Sequence, residues 1–76
     1  MDTQFTGQMY GRWLPLSGLS QIELSREIGI PMSLLSDFKN GKIVLTAKRR
    51  EILRRALLAA MKRHLRETQE ALNAAN

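Results

Sequence analysis

The chain holds 76 residues, 43% apolar and 25% charged, with no cysteine, one histidine and four aromatic side chains. Twelve Lys and Arg against seven Asp and Glu leave a formal net charge of +5. A chain this short makes one small domain that buries only about 60% of its unfolded surface, which excludes a deep substrate cavity. The missing thiols exclude disulfides, thiolate metal sites and a cysteine nucleophile.

Phe5, Met9 and Trp13 recur at i, i+4 and i+8, one stripe of a helix. The spacing predicts a first helix over roughly residues 3–14, weakened by Gly7 and Gly11 and ended by Pro15. A lone Trp13 offers no stacking array and fits core or edge-of-core packing. Ser20-Gln21-Ile22-Glu23 reads as a capping box, flanked by a Leu19–Leu24 hydrophobic staple. A second helix therefore starts at Gln21 and stops at Gly29, where a missing Cβ permits the left-handed conformation. Pro31 suits the first turn of a third helix, which runs to about Lys39 and closes at Asn40-Gly41 in a second left-handed stop.

After a loop, Thr46 can cap a long fourth helix reaching about residue 72, built from strong helix formers without Gly or Pro. Ile52, Leu53, Ala56, Leu57 and Ala60 supply its core-facing stripe. Leu58, Met61, Leu65, Thr68 and Leu72 follow 3-4-3-4 spacing, a seam of about two heptads. That is short for a coiled coil and adequate for a dimer contact, so Leu58, Met61, Leu65 and Leu72 are the candidate dimerisation residues. The fold class expected is all-α.

Charge is unevenly distributed. Residues 1–38 hold Arg12 and Arg26 against Asp2, Glu23, Glu27 and Asp37, a net of −2. Residues 39–66 hold Lys39, Lys42, Lys48, Arg49, Arg50, Arg54, Arg55, Lys62, Arg63 and Arg66 against Glu51 alone, a net of +9. Such asymmetry suits a surface that meets phosphates, or else a solvated helix face rich in arginine. The longest apolar run, Ala56 to Met61, is far below the roughly 20 residues needed to span a bilayer. Neither does the N-terminus read as a signal peptide, so a cytoplasmic protein is expected.

The segment Leu19 to Ile30 (Leu-Ser-Gln-Ile-Glu-Leu-Ser-Arg-Glu-Ile-Gly-Ile) resembles the opening helix and turn of the Cro and phage-repressor (XRE-type) helix-turn-helix family. Apolar Leu24, Ile28, Ile30, Leu35 and Phe38, the turn residue Gly29 and the exit Asn40-Gly41-Lys42 extend the resemblance over about residues 19–57. Three positions depart from the family pattern: Ser25 for alanine, Lys39 for glutamate and Leu45 for proline. The first helix matches poorly.

The resemblance implies a lambda-repressor-like bundle, with a helix-turn-helix core at 19–45 and a C-terminal helix at about 46–72 that can dimerise. In that family the third helix enters the major groove. Carried over by position, the base readers are Met32, Ser33, Leu34, Ser36 and Asp37. Met32 and Leu34 suit thymine methyls or partial burial in the core; Asp37 suits a cytosine amino group or a helix end. With no bidentate Arg or Gln here, DNA shape is expected to contribute. The phosphate-binding set is Gln21, Lys39, Asn40, Lys42, Lys48 and Arg49.

The implied function is sequence-specific transcriptional regulation by a homodimeric repressor of a phage- or plasmid-type operon, bound to an inverted repeat in double-stranded DNA. Half-site centres are expected one helical turn, about 34 Å, apart. An antitoxin-like module, whose long helix grips a partner protein, is the alternative. No cofactor or metal is expected. An enzyme is not expected either: His64 is the sole histidine and lies in a basic helical stretch, and no glycine-rich phosphate loop follows a strand.

Overall fold

The computed structural model describes residues 5–75. Four helices follow one another, with no strand among the described residues: α1 (Gly7–Ser17), α2 (Gln21–Ile28), α3 (Met32–Lys39) and α4 (Ala47–Ala75). The architecture is a small helical bundle with a long C-terminal helix, as the sequence predicts.

The bounds of α1 correct the expected ones. Its start is set by Thr6, whose hydroxyl accepts from the Met9 N–H at 3.2 Å, so Phe5 precedes the helix. Residues 3 and 4, expected to be helical, lie outside the described residues. Pro15 lies inside α1 instead of ending it at Leu14. A proline at that position takes one N–H out of the helix ladder, and the helix runs on for two more residues. The buried Ser17 hydroxyl donates to the Leu14 carbonyl at 2.6 Å and accepts from the Leu19 N–H at 3.1 Å. The helix then stops at Gly18, in the left-handed region at φ 73°.

The capping box of α2 forms in full. Ser20 Oγ accepts from the Glu23 N–H, and Glu23 Oε1 accepts from the Ser20 N–H, both at 3.1 Å. Those bonds, the backbone one foremost, hold the Glu23 carboxyl below the usual carboxylate range. Gly29 ends α2 at φ 72°, donating its N–H to the Ser25 carbonyl at 2.9 Å. Ser25 also donates its hydroxyl to the Ile30 carbonyl at 2.6 Å. The serine that departs from the family pattern thus ties α2 to the turn, a bond alanine would lack.

Pro31 stands at the N-cap of α3, one position before the helix proper. At its far end only Gly41 is left-handed, at φ 76°; Asn40, at φ −86°, does not share that conformation as expected. The Thr46 hydroxyl caps α4, accepting from the Arg49 N–H at 3.2 Å. The helix continues to Ala75, three residues past its expected end.

One apolar cluster joins all four helices: Phe5, Tyr10, Leu24, Ile30, Leu35, Phe38, Leu45, Leu53 and Leu57, with Met9, Trp13, Ile28 and Leu34 packed partly buried against it. The Phe5 ring lies 5.0 Å from Trp13 and 6.2 Å from Phe38, and Tyr10 stacks on Phe38 at 6.2 Å. Within the α4 stripe, Leu53, Leu57 and Ala60 are buried and Ala56 is half-buried. Ile52 departs from the expectation: it is 38% exposed, at the rim of a contact face narrower than five stripe positions need.

α1 packs chiefly on α4, and α3 rests on α1 and α2. A Cβ on Gly7 would sit 1.8 Å from the Phe38 carbonyl oxygen, so α1 and α3 meet there at backbone contact. No helix among the described residues is long and apolar enough to cross a membrane.

Candidate nucleic-acid interface

Helix periodicity divides α3 into two faces. Leu35 and Phe38 point into the core and are buried. Met32 (44% exposed) and Ser33 stand outward, with Ser36 and Asp37 half-buried beside them and Lys39 and Asn40 exposed at the helix end. Of the five predicted base readers, Leu34 is the one that turns inward, packing against the core cluster. The remaining four share the outward side at i, i+1, i+4 and i+5, the spacing of neighbours on a helix surface. The Asp37 backbone carbonyl accepts from the Lys42 N–H at 2.8 Å, which folds the exit loop back under α3.

The predicted phosphate-binding residues are spread over three regions: the start of α2, the end of α3 with its exit loop, and the first turn of α4. Gln21 is the first residue of α2 and is half-buried. Its Oε1 accepts from the Tyr10 hydroxyl at 3.1 Å, so the amide NH2 remains as a donor. Lys39, Asn40 and Lys42 are exposed at the α3 exit, and Lys48 and Arg49 are exposed in the first turn of α4. The stem of Lys39 runs over Gly11, where an added Cβ would lie 3.4 Å from Lys39 Cγ.

Two residues near this surface were not legible in advance. Tyr10 is fully buried, and burial pushes its hydroxyl pKa up to about 12, so it stays neutral as it orients Gln21. Its only sequence signal is its place one residue from the Phe5–Met9–Trp13 stripe. Arg50 lies half-buried in the first turn of α4, its Nε without a hydrogen-bond partner among the described residues.

The basic block is not uniform. Arg54 binds Glu51 through Nη2 at 2.6 Å and Nε at 3.0 Å, and Arg55 Nε binds the same carboxylate at 2.8 Å. The Glu51 hydrogen bonds raise the Arg54 pKa. These two guanidiniums are partly neutralised within α4, whereas no ion pair engages Lys39, Lys42, Lys48 or Arg49 among the described residues. The candidate surface is therefore a weakly polar helix face with the exposed Lys39 and Lys42 at its C-terminal end. Among the described residues no cluster of His, Cys, Asp and Glu could hold a metal ion.

Comparison of the chain with protein-family models, with curated proteins and with solved structures found no match.

Proposed function

We propose that the chain is a sequence-specific DNA-binding regulator of the XRE-type, acting in the bacterial cytoplasm as a homodimeric repressor of a phage- or plasmid-type operon. One observation carries the reading. Two short helices meet at a left-handed Gly29, and the second turns Met32, Ser33, Ser36 and Asp37 outward beside Lys39, Asn40 and Lys42. In the mechanism this supports, α3 enters the major groove, where Ser33 pairs with base edges and Met32 packs on thymine methyls. Gln21, held by Tyr10, and the exposed Lys39, Lys42, Lys48 and Arg49 grip the sugar-phosphate backbone and set the register.

A gel shift with the DNA upstream of the gene, against random competitor at two salt concentrations, tests the reading. The expected affinity for an inverted repeat is of the order of 10 nM or tighter. Equal competition by random DNA overturns it. Ser33→Ala should alter site preference, and Lys42→Ala should weaken all sequences alike while lowering the salt slope by about 1.

The exposed second half of α4 favours a second reading, an antitoxin-like module in which that helix grips another protein. Light scattering separates the two: a dimer of the purified chain supports the first, and a monomer that needs a co-expressed partner supports the second.

A further inference from the structure

Asp37 is the one acidic side chain of α3, and it stands on the outward side of that helix. Its backbone is pinned on both sides. The Asp37 carbonyl accepts from the Lys42 N–H at 2.8 Å, and the next residue, Phe38, is buried with its carbonyl against Gly7 of α1. The carboxylate itself is half-buried, with no ion pair and no hydrogen bond among the described residues, although Lys39 and Lys42 follow closely in the chain.

Nothing in the fold accounts for this carboxylate. Glu23 completes the cap of α2, Glu51 binds two arginines, and Glu27 is simply exposed. Asp37 lies in the last turn of α3, where a helix leaves carbonyls rather than N–H groups free and its dipole favours cations. A carboxylate only accepts, so it cannot cap that end. Asp37 therefore works against its own helix, a local conflict of the kind expected where a side chain serves a site.

We propose that Asp37 determines specificity by rejection: it admits duplexes that set a cytosine amino group opposite it and repels the rest. The inference rests on the reading of α3 as the helix that enters the major groove. A carboxylate carried there approaches the phosphates of both strands, so it lowers affinity for DNA at large. Only a donor on a base edge offsets that cost. In the major groove guanine shows N7 and O6 and thymine shows O4, all acceptors. Adenine shows its amino group beside the acceptor N7, whereas cytosine shows its amino group alone. Cytosine is thus the base whose own edge offers a carboxylate a donor and no acceptor.

The rest of the face competes little with that preference. The Ser33 and Ser36 hydroxyls donate or accept and suit several bases, and Met32 makes apolar contact only. On such a face, exclusion of the wrong sequence is the stronger source of discrimination.

Selection from a pool of random duplexes, run in parallel with the parent chain and with Asp37→Asn, tests the proposal. The substitution keeps the shape and removes the charge. Because the carboxylate makes no bond within the fold, the variant should keep its helicity and melt no lower than the parent. The parent should enrich sites with cytosine at one fixed position. The variant should lose that cytosine and accept adenine there, since an asparagine amide pairs with adenine N6 and N7. Placing thymine at the position should weaken the parent about tenfold and the variant little. On a random-sequence duplex at low salt, the variant should bind several-fold tighter than the parent, with the gap narrowing as salt rises.

A cytosine that survives in the variant's sites, or equal affinity of both chains for the random duplex, overturns the role of Asp37 and leaves the regulatory reading standing. A variant that melts well below the parent assigns the carboxylate to the fold and overturns it too. Failure of both chains to enrich any sequence sinks the regulatory reading together with this one.

Discussion

α4 is one unbroken rod with two different environments. Along its first half, Leu53 and Leu57 disappear into the cluster formed with α1, α2 and α3, and Ala60 is buried after them. Beyond Met61 the same kinds of residue continue at the same spacing, and none of them is buried. Helix-forming chemistry does not change at that boundary; the supply of neighbouring elements does. The cover ends where α1 turns at Gly18, against which His64 packs so closely that a Cβ on Gly18 would lie 2.7 Å from its Nδ1. Apolar periodicity thus marks which side of a helix seeks contact, without saying whether its own chain provides it.

The largest effect should come from the covered half. Leu57 is fully buried, so Leu57→Ala should cost about 2–5 kcal/mol in denaturant unfolding. A loss under about 1 kcal/mol would mean that α4 is no better packed there than beyond Met61. Next comes the cap of the small helix that covers α4: Ser20→Ala removes the acceptor of the Glu23 N–H and should cost about 1 kcal/mol. The penalty should shrink in acid. The folded Glu23 pKa is depressed, so its contribution is present above the ordinary carboxylate pKa and lost as pH falls through the lower folded one.

Tyr10→Phe deletes the hydroxyl that donates to Gln21 and should cost about 0.5–1.5 kcal/mol near neutrality. The same variant has an alkaline signature. The folded pKa of Tyr10 is pushed up to about 12 against about 10 unfolded, so its stabilising effect is whole below pH 10 and fades as pH rises toward 12. Relative to the variant, the parent chain should lose stability across that window, as followed by helicity. The smallest effect belongs to the bare half: Leu65→Ala, measured on single chains at high dilution, should stay within about 0.5 kcal/mol.

Most of the bundle was legible because local signals agree with one another. The capping box at Ser20, the turn at Gly29, the cap at Thr46 and the apolar positions 24, 30, 35 and 38 all reappear as predicted. Pro15 misled because a proline near a helix C-terminus removes a single ladder bond, too little to end a helix that Gly18 stops three residues later. Leu34 could not be divided between core and surface by spacing alone, since it sits at the border of the two faces of α3. Tyr10 was hidden for a related reason: its role depends on Gln21, which a turn brings near from eleven residues away. The pairing of Arg54 and Arg55 with Glu51 likewise splits a charge block that composition presents as continuous.

Two glycines are hard to replace, for opposite reasons. Gly7 is held by lack of room, and any side chain there drives α1 away from Phe38. Gly29 has open space on every side and is held only by handedness, at φ 72°. A mirror-image alanine, placed at position 29 by chemical synthesis, would suit that backbone and narrow the freedom of the unfolded chain. The synthetic chain should melt at a higher temperature than its parent, so the turn between the two short helices is where this fold has stability still to gain.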